Sequence, residues 1–214
     1  MSELPTVGAF AIVPSNDLPA AIPFWERMGF ARTGGEVELM RHGDLYPVGT
    51  PAYSVASYQK MATNLVALRA LLGNDVFMQA YREYGRRWIG RHPTEYDFFN
   101  TFNDVSKRDL SWFWRTWFYE TWTLDQAIAG VEVRGDSAAI TIEDRGLAPM
   151  PVRLAITRQG VSAVERQELP VDVWLHGERH ATLRVAATPK IVKVEIDPEN
   201  AFPDIDRTNN RWGR

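Results

Sequence analysis

The chain has 214 residues, of which 45% are hydrophobic and 24% are charged, a composition typical of a globular protein that can bury a sizeable core. Its formal net charge is −3, so the overall balance does not indicate a nucleic acid or an anionic membrane as a partner. Cysteine is absent, which excludes disulfides, thiolate zinc sites and a cysteine nucleophile.

The first 40 residues have the pattern of a short βα unit. A strand is predicted over residues 7–13, and a helix follows the capping residues at 15–17 and ends at Gly29. A second strand is predicted to begin at 37–40. The N-terminus lacks the basic region and the apolar region of a signal peptide. The sequence contains no run of about 18 apolar residues, so no transmembrane helix is predicted. We therefore expect a cytoplasmic protein.

Residues 41–129 are predicted to form a helical bundle after a loop rich in proline and glycine. The predicted helices are 58–72 closed by Gly73, 74–88 capped by Asn74, a third opened by a capping box at 94–97, and 109–119. Four of the 8 tryptophans lie between residues 112 and 122, which predicts an aromatic core or an aromatic-lined cleft. Unless another element covers them, such helices are expected to leave an apolar patch and to promote self-association.

After Gly130 the hydrophobic period changes from that of a helix to that of a strand, which predicts an antiparallel β-sandwich over 130–200. The predicted strands are 131–133, 139–142, 152–156, 171–174, 181–185 and 191–196. The polar residues from 197 onward are expected to trail over the surface, with 201–214 as a tail. The predicted fold class is therefore α+β.

The histidines offer weak candidates for a metal site, and no common catalytic or nucleotide-binding motif is present. The string from His176 to His180 is interpreted as a surface hairpin rather than an adventitious metal site, because Glu178 does not directly follow the first histidine as in a zincin helix. His42 and His92 are expected in loops as structural or solvated residues. The acidic residues of the tail lack the glycine and glutamate of an EF-hand, which favours a solvated tail over a calcium site.

The second predicted helix has a basic edge. It consists of Arg82, Arg86, Arg87 and Arg91. Because Glu83 and Asp75 are nearby and the chain is negative overall, a solvated face is favoured over a nucleic-acid surface.

The most informative string is YSVASYQK at 53–60, followed by a leucine-rich helix that ends at Gly73. Further motifs follow in order: His92-Pro93, Asp97-Phe98-Phe99, Asp109-Leu110 and WFW at 112–114. In order, spacing and residue type, these resemble the gluzincin zinc aminopeptidases of the alanyl aminopeptidase family over about residues 40–200. The resemblance implies release of N-terminal amino acids from peptides, with 41–129 as the helical part of the catalytic domain.

The same resemblance implies a catalytic role for Tyr58, the second tyrosine of the string. In the family its hydroxyl donates a hydrogen bond to the oxyanion formed when a zinc-bound water attacks the peptide carbonyl. From the residues alone, an amphipathic tyrosine at a helix start, with a buried ring and a wet hydroxyl, is the favoured interpretation of Tyr58. Tyr53 matches the first tyrosine of the family's string. The resemblance implies that Tyr53 either supports the catalytic tyrosine or has only a packing role.

The family's zinc motif, HExxH with a glutamate on the next helix, should precede this string, but the 52 residues before Tyr53 contain neither element. No metal ligand or cofactor is therefore assigned in this chain, although zinc is the cofactor of the family. Hydrolysis by the chain alone is not expected, and a peptide would be a substrate only if a zinc-bearing half were supplied. The rival hypothesis is a non-catalytic protein-interaction module.

The N-terminal residues resemble a different family. AFAIVPSND at 9–17 and FWERMGF at 24–30 are similar to the opening βα unit of glyoxalase/bleomycin-resistance proteins. This resemblance implies a small-molecule binder as a third hypothesis, and a chimera in which residues 1–40 are joined near 36–41 to the back part of an aminopeptidase.

Overall fold

The structure is a computed structural model that describes residues 38–46 and 52–213. The described residues form four helices followed by two antiparallel sheets, which confirms the predicted α+β class. The predicted βα unit lies outside the described residues except at 38–40, where the expected strand does not form. The backbone N–H groups of Leu39 and Met40 instead both donate to the carbonyl oxygen of Phe118, at 3.0 and 3.1 Å.

Helix α1 changes its winding along its length. Ala52–Ser54 are α-helical, Val55–Lys60 are π-helical and Met61–Leu72 are α-helical. The helix therefore begins before residue 58, where the sequence predicted its start. Gly73 ends it with a φ of 82°, as expected for a glycine at a helix end.

Helix α2, Asn74–Trp88, follows α1 after this single residue. The prediction that Asn74 caps α2 is wrong, because Gly73 occupies the cap position and Asn74 is already helical. The Asn74 side chain donates to Asp75 Oδ1 at 3.2 Å.

Helices α3 and α4 complete the helical part. In α3, Glu95–Ser106, the predicted capping box between Thr94 and Asp97 is confirmed. Helix α4 begins as α-helix at Ser111–Trp114 and continues as π-helix at Arg115–Tyr119.

Aromatic side chains from three helices form the core of this part. The ring of Phe99 stacks on Trp114 with centroids 4.6 Å apart, and Phe102 is fully buried against Phe98 and Phe77. Of the two alternatives that the tryptophan-rich segment left open, this part of the structure shows an aromatic core.

The strands form two antiparallel sheets. The first has the order β1-β2-β5, with β1 at Gln126–Arg134, β2 at Ser137–Asp144 and β5 at His180–Ala186. The second has the order β4-β3-β6-β7, with β3 at Val152–Arg158, β4 at Glu165–Leu169, β6 at Ile191–Ile196 and β7 at Arg211–Gly213. Buried side chains of β2, β3 and β6 share one hydrophobic cluster, so the two sheets pack face to face around a common core.

The predicted strand at 171–174 is wrong, because Val171–Trp174 form a 3₁₀ helix. Three residues per turn place Val171 and Trp174 on the same side, and both are buried. Trp174 Nε1 donates to the carbonyl of Met150 at 3.0 Å. The turn at Gly177 consequently follows a 3₁₀ helix and precedes β5, so it is not the predicted hairpin between two strands.

Strand β4 was missed because its sequence, ERQEL, has no apolar alternation. It lies at the edge of its sheet, where charged side chains are tolerated and discourage pairing with another chain.

The expectation that the residues after 197 trail over the surface is also wrong. Asp197 is buried, and its carboxylate accepts the backbone N–H groups of Ala201 and Phe202 at 3.1 and 2.9 Å. Phe202 packs into the helical core, and β7 pairs with β6. This polar segment is ordered because its polar groups form hydrogen bonds within the fold.

Candidate functional site

Tyr58 lies in the π-helical segment of α1, and its side chain is 59% exposed. A π-helical segment within an α-helix is uncommon and often occurs at functional sites. The buried alternative for this tyrosine does not hold in the structure.

Tyr53, which precedes it on the same helix, is 51% exposed. Its ring meets the ring of Tyr46 edge-on at 5.7 Å, and the Tyr46 hydroxyl donates to the carbonyl of Glu38 at 3.0 Å. The structure therefore gives Tyr53 a packing contact, and no ring contact between Tyr53 and Tyr58 occurs among the described residues.

The opposite side of α1 is tied to the end of α4. Lys60 Nζ donates to the carbonyl of Glu120 at 2.9 Å, and Asn64 Nδ2 donates to the carbonyl of Trp117 at 2.8 Å. The last carbonyls of a helix have no partner within it, so these two side chains, one turn apart on α1, satisfy groups that would otherwise be orphaned. A cation at this end of a helix also interacts favourably with its dipole.

Burial lowers the pKa of Lys60 to about 8, while the carboxylate of Glu38 opposes this shift. The amine is therefore mostly protonated at neutral pH and keeps its donor role. Asn64 is 1% exposed, and its anchoring role was not predicted from the sequence. The available signal was a polar amide one turn after Lys60, among apolar residues that face the core.

The C-terminal end of α1 is held as well. Arg153 on β3 donates to the carbonyl of Ala70 at 2.8 Å, and Arg108 donates to the carbonyl of Leu71 at 3.1 Å. The Arg153 guanidinium also lies 4.7 Å from the centre of the Phe202 ring. The helix that presents Tyr58 is thus fixed to both the helical core and the sheet.

The other sequence candidates do not gather into a metal centre. Within residues 38–46 and 52–213, no three His, Asp or Glu side chains are grouped so that they could hold a metal ion. Nδ1 of His42 accepts the N–H of Asp44 at 3.3 Å, and His180 lies in β5. The donor set of the described residues does not fit the zinc site of a gluzincin peptidase.

A second group of titratable residues lies where β1 and β2 meet the C-terminal segment. Asp144 is 4% exposed, and burial, together with the charges of Asp125 and Asp204, raises its pKa to about 6 against the opposing effect of Arg179. Asp204 accepts the N–H of Gln126 at 3.0 Å, and burial raises its pKa. Asp204 thus joins β1 to the C-terminal segment and is not part of a solvated tail.

No helix among the described residues is long and apolar enough to cross a membrane. The chain matches no protein-family model.

Two known proteins are similar to the chain. It is 34% identical over 79 residues to a Caenorhabditis elegans protein named "Putative aminopeptidase-2". The matched segment covers 36% of this chain and 4% of that protein. Its fold is similar to the crystal structure of Legionella pneumophila aminopeptidase A in complex with aspartic acid, with a TM-score of 0.58 and 15% identity, over 81% of this chain and 20% of that chain. The chain thus spans a small part of each. The similarity in sequence supports an aminopeptidase-like relationship for this segment of the chain, and the similarity in structure shows the fold alone.

Proposed function

We propose that the chain corresponds to the part of a gluzincin aminopeptidase, of the alanyl aminopeptidase family, that follows the zinc motif. In this proposal it retains the oxyanion-stabilising tyrosine, Tyr58, and does not by itself release N-terminal amino acids from peptides. The observation that carries the proposal is the presentation of Tyr58, which is 59% exposed on a π-helical turn of a helix held by Lys60 and Asn64 on its other side.

The chemistry that Tyr58 can supply is one O–H donor. A donor aimed at a developing oxyanion stabilises the transition state more than the ground state, and removal of one such donor typically lowers the rate about 10²–10³-fold. The rigid attachment of α1 supports this role, because a preorganised donor needs no reorganisation during the reaction.

Water activation is the part of the reaction that the described residues do not supply. Their donor set does not fit a zinc ion, and the printed sequence has no HExxH. We therefore expect a peptide to be turned over only when a zinc-bearing half is supplied.

Two measurements on the purified chain test this proposal. Mass spectrometry after removal of loosely held metal is expected to give a zinc content near zero, and aminoacyl-anilides are expected to remain uncleaved with or without added zinc. Zinc bound near one per chain together with hydrolysis would overturn the proposed inactivity. In that case, loss of hydrolysis in Tyr58→Phe, but not in Tyr53→Phe, would still support the role of Tyr58.

A second candidate function is a non-catalytic interaction module that self-associates. It is favoured by three large hydrophobic residues of α1 that are exposed. Tyr53, Tyr58 and Val66 are 51%, 59% and 57% exposed. Sedimentation equilibrium would show a concentration-dependent dimer that Val66→Ser weakens. A protein that stays monomeric at all concentrations would exclude this self-association.

A further inference from the structure

A groove of about 680 Å³ lies between α2 and the end of α3. Its walls include four cations and two carboxylates: Arg82, Glu83, Arg86, Arg87, Asp104 and Lys107. Its lining carries a net positive charge, opposite in sign to that of the whole chain.

Two arginines and two carboxylates of the groove lining form an ionic network. Arg86 holds Glu83 with two hydrogen bonds of 2.7 and 2.6 Å. Arg87 donates to Glu83 at 2.8 Å and, across to α3, to Asp104 at 2.7 Å. Arg86 and Arg87 lower the pKa of Glu83 to about 2, so Glu83 stays ionised at physiological pH.

Two cations remain after these pairs are formed. Arg82 on α2 and Lys107 at the end of α3 are both exposed, and neither has an ion-pair or hydrogen-bond partner through its side chain among the residues that the structure describes. Because they come from different helices and line the same groove, an anionic ligand in the groove can contact both.

Lys107 has a backbone conformation that a lysine does not favour. Its φ is 56° and its ψ is 29°, the left-handed region in which glycine or asparagine is usual at a helix end. A non-glycine residue in this region is strained, and such strain concentrates at functional positions. A glycine would fit the backbone better but would remove the cation from the groove.

We propose that this groove binds an acidic peptide segment, with carboxylates contacting Arg82 and Lys107 above the Glu83–Arg87 network. Clusters of arginine recognise acidic motifs in this way, since guanidinium groups bind carboxylates through charge-assisted hydrogen bonds. A peptide fits better than a nucleic acid, because only two cations of the lining, Arg82 and Lys107, lack a carboxylate partner among the described residues, whereas nucleic-acid binding typically uses a larger basic patch. The inference is independent of the proposed function, because none of the lining residues belongs to α1 or to its anchors.

Fluorescence anisotropy with a labelled oligoglutamate peptide tests the proposal on the full chain. At low ionic strength we expect saturable binding that weakens as salt is added. Arg82→Gln and Lys107→Gly should each weaken it about threefold to tenfold, as expected for a partly exposed charge-assisted contact. Arg69→Gln serves as the matched control, since Arg69 is an exposed arginine outside the groove, and it should bind as the wild type does.

Lys107→Gly separates binding from folding. Because glycine relieves the left-handed conformation, this variant should melt at a higher temperature than the wild type and still bind more weakly. Absence of saturable binding to the wild type would overturn the proposal, as would equal weakening by Arg69→Gln. Tighter binding of a thymidine oligonucleotide of equal charge, with the same dependence on Arg82 and Lys107, would assign the groove to nucleic acid instead.

Discussion

Asp144 lies at the end of β2, where one carboxylate oxygen accepts from Arg179 Nη1 at 3.0 Å and the other, Oδ1, is buried without a partner among the described residues. Burial is the main cause that raises its pKa from 3.8 to about 6, and the charges of Asp125 and Asp204 act in the same direction. In the folded protein the ionised form of this group is therefore disfavoured relative to the unfolded chain.

The sign of the resulting pH dependence follows from proton binding. Between about pH 4 and pH 6, Asp144 is protonated in a larger fraction of folded molecules than of unfolded molecules. The contribution of Asp144 to stability is therefore lost as the pH rises through this interval. Each pH unit between the two pKa values corresponds to about 1.4 kcal/mol, which sets a ceiling of about 3 kcal/mol for the whole effect.

Asp144→Asn removes the ionisation while keeping the size of the side chain and an oxygen that can accept from Arg179. Relative to the wild type, we expect the free energy of unfolding of this variant to increase by up to about 3 kcal/mol between pH 4 and pH 7. Urea unfolding of both proteins at each pH gives the difference between their free energies of unfolding. The contributions of carboxyls that titrate equally in the two proteins cancel in this difference. The control is Asp136→Asn, an exposed carboxyl in the turn between β1 and β2. A variant-minus-wild-type difference that stays constant from pH 4 to pH 7 would refute the reasoning.

Three further substitutions test the packing of the helical part and the last strand by chemical unfolding. Phe102→Ala should lower the free energy of unfolding by about 3–5 kcal/mol, because Phe102 is 0% exposed and its loss leaves a cavity. Lys60→Met should lower it by about 1–2 kcal/mol, since the carbonyl of Glu120 loses its charged donor. Gly213→Ala should lower it by about 1–3 kcal/mol, because a Cβ would lie 2.1 Å from the carbonyl oxygen of Val192 at a φ of +89°.

Each of these substitutions has a matched control in the chain. Tyr81→Ala removes an aromatic ring that is 48% exposed, so equal losses at Tyr81 and Phe102 would contradict the assignment of the core. Lys190→Met removes an exposed lysine, and the same stability as Lys60→Met would show that the Glu120 contact contributes nothing. Gly160→Ala has a positive φ but nothing within 4 Å of the added carbon, and it should therefore cost less than Gly213→Ala.

The candidate site was only partly accessible from the sequence. The spacing of Tyr53 and Tyr58 gave a resemblance on which a catalytic role could be based, and Gly73 correctly marked the end of the helix that carries them. The sequence could not show that Tyr58 is exposed, or that Lys60 and Asn64 hold the other side of this helix. Their partners are carbonyl groups more than 50 residues away in the chain, and no local pattern encodes such a contact.

The sequence by itself determined the fold class, the position of the helical part before the strands, and local signals such as the capping box at Thr94. These features depend on hydrophobic periodicity and on side-chain to backbone hydrogen bonds within one turn. Where a local sequence pattern was compatible with two structures, the tertiary structure decided which of them formed. Val171 and Trp174 fit a strand in sequence but reach the same core from a 3₁₀ turn. The polar segment after Asp197 is ordered because Asp197 and Phe202 are buried against distant elements, and burial of this kind depends on the whole fold rather than on neighbouring residues.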